Sequence, residues 1–277
     1  MKLKVAYQGE PGAFSEAAVF AHFADISEAV PCPSFDDVFA SVANDKVTYG
    51  LVPIENSLAG SIHRNYDLLL QHNLSIVGEH YLHVHHCLIA HPEVPRSGIK
   101  KIISHPQALA QCEKYLRSYT GVKIEPVYDT AGSVKIVKDQ GDCSVAAIAS
   151  QRAAEIYRMA IVDRNIEDLP NNLTRFLAIS QQPVLPETDA KTTLVFSAAN
   201  KPGSLFKALS VFALRDIDLT KIESRPQPGK NWEYLFYIDF IGSTIQPHVS
   251  KALDHLGEYA TMLRVFGSYP RHLYVEE

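Results

Sequence analysis

The residues best suited to chemistry in this chain sit where short apolar runs give way to helix-period segments. Ser15 follows the turn Gly9-Glu10-Pro11-Gly12, Asn56 and Ser57 follow Pro53, Ser104 precedes Pro106, and Asp129-Thr130 opens another helical segment. A helix N-terminus offers unpaired backbone N–H groups and the positive end of the dipole, so these junctions suit a carboxylate or a phosphate. Ser, Thr, Asp and Asn are also the ordinary N-cap residues, and each position taken singly reads first as a cap. Several gathered along the C-terminal edge of an open α/β sheet point to a site for an anionic small molecule. Thr174-Arg175-Phe176 adds a cation amid uncharged neighbours, and an Arg fork grips a carboxylate through two hydrogen bonds. A half-buried strand that turns Arg175 out to solvent fits the same pattern equally well.

Other chemistries find less support. His80, His83, His85, His86 and His91 crowd one segment, with His83 and His85 on one strand face. No His-x-x-x-His falls on a helical stretch and only Cys87 is nearby, so the convergent ligands of a zinc site are not indicated. The Gly9–Gly12 turn lacks the Gly-x-Gly-x-x-Gly spacing, and P-loop and nucleophile-elbow patterns are missing. No metal and no cofactor are expected.

The elements that must position these residues follow from periodicity. Strand-like runs at 4–7, 47–52, 101–104, 123–127 and 144–148 alternate with helical stretches at about 15–23 and 57–72 and from about 106, 130 and 150. That alternation is the mark of an α/β domain with mainly parallel sheets. A long strand-like segment at 75–91, with the run at 173–180 returning the chain, suggests two lobes hinged around a cleft. The division expected is a domain at 1–181, with lobe 1 at about 1–78 and 164–181 and lobe 2 at about 79–163. A Pro-containing linker at 182–190 leads to a second domain at 191–277. There the order becomes β-α-β-β-α-β, the ferredoxin-like arrangement, with Trp232, Tyr234, Phe236, Ile238 and Phe240 on one strand face.

Composition narrows the function. The 277 residues are 46% hydrophobic and 21% charged with a net charge of −5, and no window is rich in Lys or Arg. Nucleic-acid and membrane-surface partners are therefore not expected. No apolar run reaches the roughly 18–20 residues of a membrane span. The four cysteines form no Cys-x-x-Cys pair and read as reduced, mostly buried thiols of a cytoplasmic protein.

Taken together, these motifs resemble the prephenate dehydratase family over essentially the whole chain. They are Tyr7-Gln8-Gly9-Glu10-Pro11-Gly12-Ala13-Phe14-Ser15, Val52-Pro53-Ile54-Glu55-Asn56-Ser57, Ser104-His105-Pro106-Gln107-Ala108-Leu109, Asp129-Thr130-Ala131-Gly132-Ser133 and Thr174-Arg175-Phe176. The C-terminal part resembles that family's ACT regulatory domain, through Pro202-Gly203-Ser204-Leu205 and Glu223-Ser224-Arg225-Pro226. Ser204 stands where the family usually has Ala.

The resemblance implies a two-lobed, periplasmic-binding-protein-like catalytic domain followed by the ACT domain. It implies conversion of prephenate to phenylpyruvate, water and CO2, with feedback by L-phenylalanine. Thr174 would assist the departing hydroxyl, and Glu55 would be the proton donor if burial raised its pKa. Arg175, Phe176, Asn56, Ser57, Ser104 and Thr130 would bind substrate. Gly203, Ser204, Leu205, Glu223, Ser224, Arg225 and Pro226 would bind L-phenylalanine at an interface of a homodimer or homotetramer. The family's frequent chorismate mutase helices are not found, which reads as a monofunctional enzyme. Arogenate dehydratase and a non-catalytic amino-acid-binding regulator are the alternatives.

Overall fold

The computed structural model describes residues 3–23, 27–227, 229 and 232–273. The chain opens with β1 (Leu3–Gln8), α1 (Phe14–Phe23), β2 (Ser27–Cys32), α2 (Phe35–Ala43) and β3 (Tyr49–Asn56). Then come β4 (Gly60–Ser61), α3 (His63–Gln71) and β5 (Ser75–His83). The middle runs β6 (Cys87–Ala90), β7 (Lys101–Ser104), α4 (Pro106–Gln111), α5 (Glu113–Leu116), β8 (Lys123–Pro126), α6 (Thr130–Gln140), β9 (Val145–Ala149), α7 (Gln151–Tyr157) and β10 (Ala160–Asp163). The remainder is β11 (Leu173–Ser180), β12 (Ala190–Ala198), α8 (Ser204–Ala213), β13 (Leu219–Pro226), β14 (Tyr234–Ile241), α9 (Pro247–Tyr259) and β15 (Ala260–Pro270).

Two of the three sheets are mixed α/β sheets. The first has the order β2-β1-β3-β11-β5, with β1 parallel to β2 and β3, and β4 antiparallel to β3. The second has the order β10-β6-β9-β7-β8, in which β7 runs parallel to β8 and β9, β6 runs antiparallel to β9, and β10 antiparallel to β6. Their central strands are buried throughout, as in residues 5–7, 51–54 and 145–149. Such unbroken apolar runs need cover on both faces, which parallel crossovers supply. In the second sheet Leu88, Ala90, Ile102, Ala146 and Ile148 pack on Ala108 and Cys112 beside α4.

Contacts divide the chain into one compact unit of residues up to Leu68 with His80–Phe176, and another of Leu69–Glu79 with the chain from Leu177 onward. The latter holds the third sheet, wholly antiparallel in the order β13-β14-β12-β15, which gives the expected β-α-β-β-α-β order. Leu194, Phe196, Ile238 and Phe240 of that sheet pack against Phe212 of α8 and Val249 and Leu256 of α9. Leu69–Glu79 joins the same unit. A Cβ on Gly267 would lie 2.3 Å from the Ile76 carbonyl oxygen, and Arg264 donates to the Leu70 carbonyl. Lys191 Nζ reaches both Glu79 oxygens, at 2.7 and 2.9 Å, in a buried ion pair.

Four local expectations are corrected. The segment 75–91 is two strands: Val84 N–H donates to the Asn172 carbonyl and His86 N–H to the Glu167 carboxylate, drawing residues 84–86 out of the ladder. The helix expected from residue 57 begins at His63, because Ser57 is bound to residues 171–173 and 60–61 pair with β3. Trp232 has φ +62° and is 78% exposed, so the apolar strand begins at Tyr234. β2, α2 and β10 were not foreseen.

Removing one partner of a buried ion pair strands the other, at a cost of about 3–5 kcal/mol. Lys191→Ala should therefore lower unfolding free energy in urea by about that much, whereas Glu79→Gln combined with Lys191→Met should recover most of it.

Candidate active site

A cavity of about 500 Å3 in the first unit is lined from both α/β sheets at their strand-to-helix junctions. Gln8, Ala13, Phe14 and Ser15 come from the β1–α1 turn, and Ser34, Phe35 and Asp36 from the start of α2. His105, Gln107, Ala108 and Gln111 line it from α4, and Tyr128, Asp129 and Thr130 from the start of α6. Asn56, His86, Thr174 and Phe176 are also in the wall. The starts of α1, α2, α4 and α6 thus turn positive dipole ends toward one space. The junction residues also cap. Ser34 Oγ accepts from Asp37 N–H at 3.2 Å, His105 Nδ1 from Gln107 N–H at 3.2 Å, and Asp129 Oδ1 from Gly132 N–H at 2.6 Å.

One asparagine organises the reactive side of the wall. Asn56, at the end of β3, donates from Nδ2 to Thr174 Oγ1 at 3.0 Å, to Asn172 Oδ1 at 2.7 Å and to the Leu173 carbonyl at 3.1 Å. Its Oδ1 accepts from Leu58 and Ala59 N–H. One lone pair of the Thr174 hydroxyl thus accepts from behind, which points its own proton away from Asn56, so it can be donated forward into the cavity. Ser57 completes the clamp, donating to the Asn171 carbonyl and accepting from Leu173 N–H, both at 3.0 Å.

Opposite charges are scarce here. Among the described residues the wall contains no Lys or Arg. Of its two carboxylates, Asp36 is held by Arg64 in an exposed ion pair. Asp129 is half-buried, and burial raises its pKa above the ordinary value, against the opposing bond from Gly132 N–H; Glu10 raises it further and His105 lowers it. His86 is buried, which pushes its imidazole pKa below 6.5 and keeps the ring neutral. Its Nε2 lies 2.9 Å from Gln111 Oε1, and its ring meets Phe14 edge-on at 5.4 Å.

Of the residues expected to act here, Thr174, Phe176, Asn56 and Thr130 share the wall. Ser57 supports it from outside. Ser104 is fully buried and gives its proton to the Ile148 carbonyl at 2.6 Å, tying β7 to β9. Arg175 is 5% exposed and lies outside the wall, since strand alternation sends it to the other sheet face from Thr174 and Phe176. Glu55, half-buried in β3 opposite Ser61, is likewise outside it. Gln111 was missed, and His86 was read only among the histidines weighed for a metal site. Gln107 and Gln111 are four residues apart, one face of α4, and that spacing was the available signal.

A family model described as prephenate dehydratase matches residues 5–184, and one described as ACT domain matches 192–258. The chain belongs to the prephenate dehydratase family. It is 49% identical over 280 residues to arogenate dehydratase/prephenate dehydratase 2, chloroplastic, of Arabidopsis thaliana, covering 97% of this chain and 73% of that one. Among solved structures it is similar to prephenate dehydratase of Arthrobacter aurescens in complex with L-Phe, with TM-score 0.89 and 30% identity, covering 97% and 90% of the two chains. It is also similar to GqqA, described as a quorum quenching acylase, with TM-score 0.90, 33% identity and 97% and 98% coverage.

The dehydratase family match covers both α/β sheets, and the ACT match covers β12 to most of α9. Gly203, with φ +80°, precedes α8, whose first residues are Ser204 and Leu205. Glu223, Ser224, Arg225 and Pro226 end the edge strand β13. Among the described residues no helix is long and apolar enough to cross a membrane.

His86 carries a pH dependence of stability. Its folded pKa is lowered, so the unfolded chain binds more protons once pH falls below about 6.5. The contribution is complete above that pH and is lost as pH falls toward the folded value, with a limiting slope of about 1.4 kcal/mol per unit. Denaturant melts of wild type and His86→Gln between pH 7.5 and 5.5 should show the wild type losing more stability on acidification.

Proposed function

We propose that this chain is a decarboxylating dehydratase that converts prephenate to phenylpyruvate, water and CO2, with the same elimination on arogenate as the alternative. The single observation that carries the reading is the Thr174 hydroxyl, accepting from Asn56 and facing a cavity edged by helix N-termini in a chain of this family. GqqA shares the fold under a different named activity, so the fold alone does not choose the reaction.

The substrate carries its carboxylate and its departing hydroxyl on opposite carbons of a cyclohexadiene ring. The bond from ring carbon to carboxylate breaks to release CO2, and its electron pair flows through the diene into the forming aromatic ring. The C–O bond opposite breaks, and the leaving oxygen takes up one proton and departs as water. Thr174 donates a hydrogen bond to that oxygen as negative charge develops, a contribution of the size of one oxyanion-hole donor. The helix N-termini receive the side-chain carboxylate and hold the ring so that the two breaking bonds align.

Regulation belongs to the same proposal. L-Phenylalanine would bind Gly203, Ser204 and Leu205 together with Glu223, Ser224, Arg225 and Pro226, as the L-Phe complex of the Arthrobacter aurescens enzyme suggests. The exposed edge of β13, with Ile222 48% exposed, suits pairing of two copies into the dimer or tetramer expected of this family. We further propose the division into a catalytic domain at 1–181 and a regulatory domain at 191–277. A cytoplasmic setting rests on the free cysteines, of which Cys32, Cys87 and Cys112 are buried.

Thr174→Ala should lower kcat on the order of 10²-fold with little change in KM, and Thr174→Ser should keep most activity. Glu55→Gln should retain most turnover across pH, because Glu55 is outside the wall. Loss of kcat in Glu55→Gln equal to that in Thr174→Ala would contradict this assignment. Added L-phenylalanine should depress the wild-type rate, and inhibition that survives Glu223→Ala with Arg225→Ala would place the effector elsewhere.

A further inference from the structure

The two candidate substrates share a ring carboxylate, a ring hydroxyl and a side-chain carboxylate. They differ at one atom, where prephenate has a ketone oxygen and arogenate an ammonium. Discrimination must therefore come from a group that treats a cation and a carbonyl lone pair differently. A carboxylate does so in the strongest way, attracting the first and repelling the second.

Among the described residues the cavity offers two carboxylates and no Lys or Arg. Asp36 already pairs with Arg64. Asp129 accepts from Gly132 N–H at Oδ1 and is also met by Ala131 N–H, both neutral donors, and no salt bridge forms to it among the described residues. Its Oδ2 faces the β1–α1 turn, where a Cβ built on Gly9 would stand 3.3 Å from it. That oxygen therefore lies beside the Gly9 backbone, at the edge of a cavity that Asp129 and residues 13–15 both line. The titratable groups around it include Glu10, which pairs with Lys135 at 3.0 Å, His105, whose Nδ1 is used by Gln107 N–H, and the Tyr157 phenol. Burial of an anion that lacks a cationic partner is unfavourable, and an incoming ammonium would relieve it.

We propose that Asp129 is the specificity-determining residue of this cavity and biases it toward arogenate by pairing with the substrate ammonium. The inference rests on the dehydratase reaction proposed above, and of the two substrates named there it favours arogenate. In arogenate the same bonds break, the leaving oxygen takes one proton, and the products are L-phenylalanine, CO2 and water. Relatives named arogenate dehydratase are consistent with this preference, for example one of Petunia hybrida 48% identical over 285 residues, but the argument rests on the wall charges.

The test compares kcat/KM on arogenate and on prephenate for the full chain, as wild type, Asp129→Asn and Asp129→Ser. Asn and Ser both remain good N-caps for α6, so either variant removes the charge without removing the cap. The expected result is a 10- to 100-fold fall in the ratio of kcat/KM on arogenate to kcat/KM on prephenate, carried mainly by KM for arogenate. An equal loss on both substrates would show Asp129 to be a proton donor or a structural cap, and would overturn the proposal. An unchanged ratio of the two values in correctly folded variants would overturn it as well. A wild type inert on both substrates would overturn the dehydratase reading itself, an outcome separate from the other two because it is read before any substitution is made.

Discussion

The structure of the reactive site depends on how Asn56 satisfies its buried amide. A primary amide with two donor hydrogens and one carbonyl oxygen must find partners on both sides once it is 5% exposed. Here the oxygen closes the turn at residues 58–59, and the nitrogen reaches residues 172–174, more than a hundred positions away in sequence. That side chain ties the end of β3 to the start of β11 and fixes the hydrogen-bonding sense of the Thr174 hydroxyl. The clamp also draws Ser57 out of the helix its sequence suggests, so local propensity gives way to a long-range demand.

Around this clamp the wall is held by close backbone approach as much as by side chains. Gly12, at φ +92°, comes so near α7 that a Cβ there would stand 2.7 Å from Ala153 Cα. Ser150 donates to the Gly12 carbonyl at 2.6 Å, and Glu16 accepts from Gly12 N–H and from Arg152. Tyr128 donates to the Pro33 carbonyl. These contacts join junctions from both α/β sheets, so the helix N-termini keep a fixed arrangement around the cavity. Positive potential from backbone dipoles costs no side-chain reorganisation when charge moves during the reaction.

Much of this was legible from the residues. The alternation of β-branched runs with helical periods gave the α/β class, and the C-terminal β-α-β-β-α-β order followed from period alone. Of the junction residues, Asn56 and Thr130 share a wall with Thr174. What the sequence could not express was direction. Arg175 is adjacent to Thr174, yet strand alternation places it on the opposite face of the sheet. Ser104 looks like a junction hydroxyl, but the neighbouring strand offers the Ile148 carbonyl and takes its proton. The pairing of His86 with Gln111 was not foreseen because it depends on α4 packing beside the break between β5 and β6. That break is itself made by distant acceptors at Asn172 and Glu167.

The central claim is that Asn56 sets the Thr174 hydroxyl to donate into the cavity. A double-mutant cycle with Asn56→Asp and Thr174→Ala measures this directly. Asp keeps the acceptor for residues 58 and 59 but removes the donor, so the Thr174 proton turns back toward residue 56. On whichever of prephenate and arogenate the wild type turns over, Asn56→Asp should depress kcat about as far as Thr174→Ala. The double variant should be no worse than either single one. Single effects that multiply in the double variant, or an Asn56→Asp enzyme with wild-type kcat, would contradict the account.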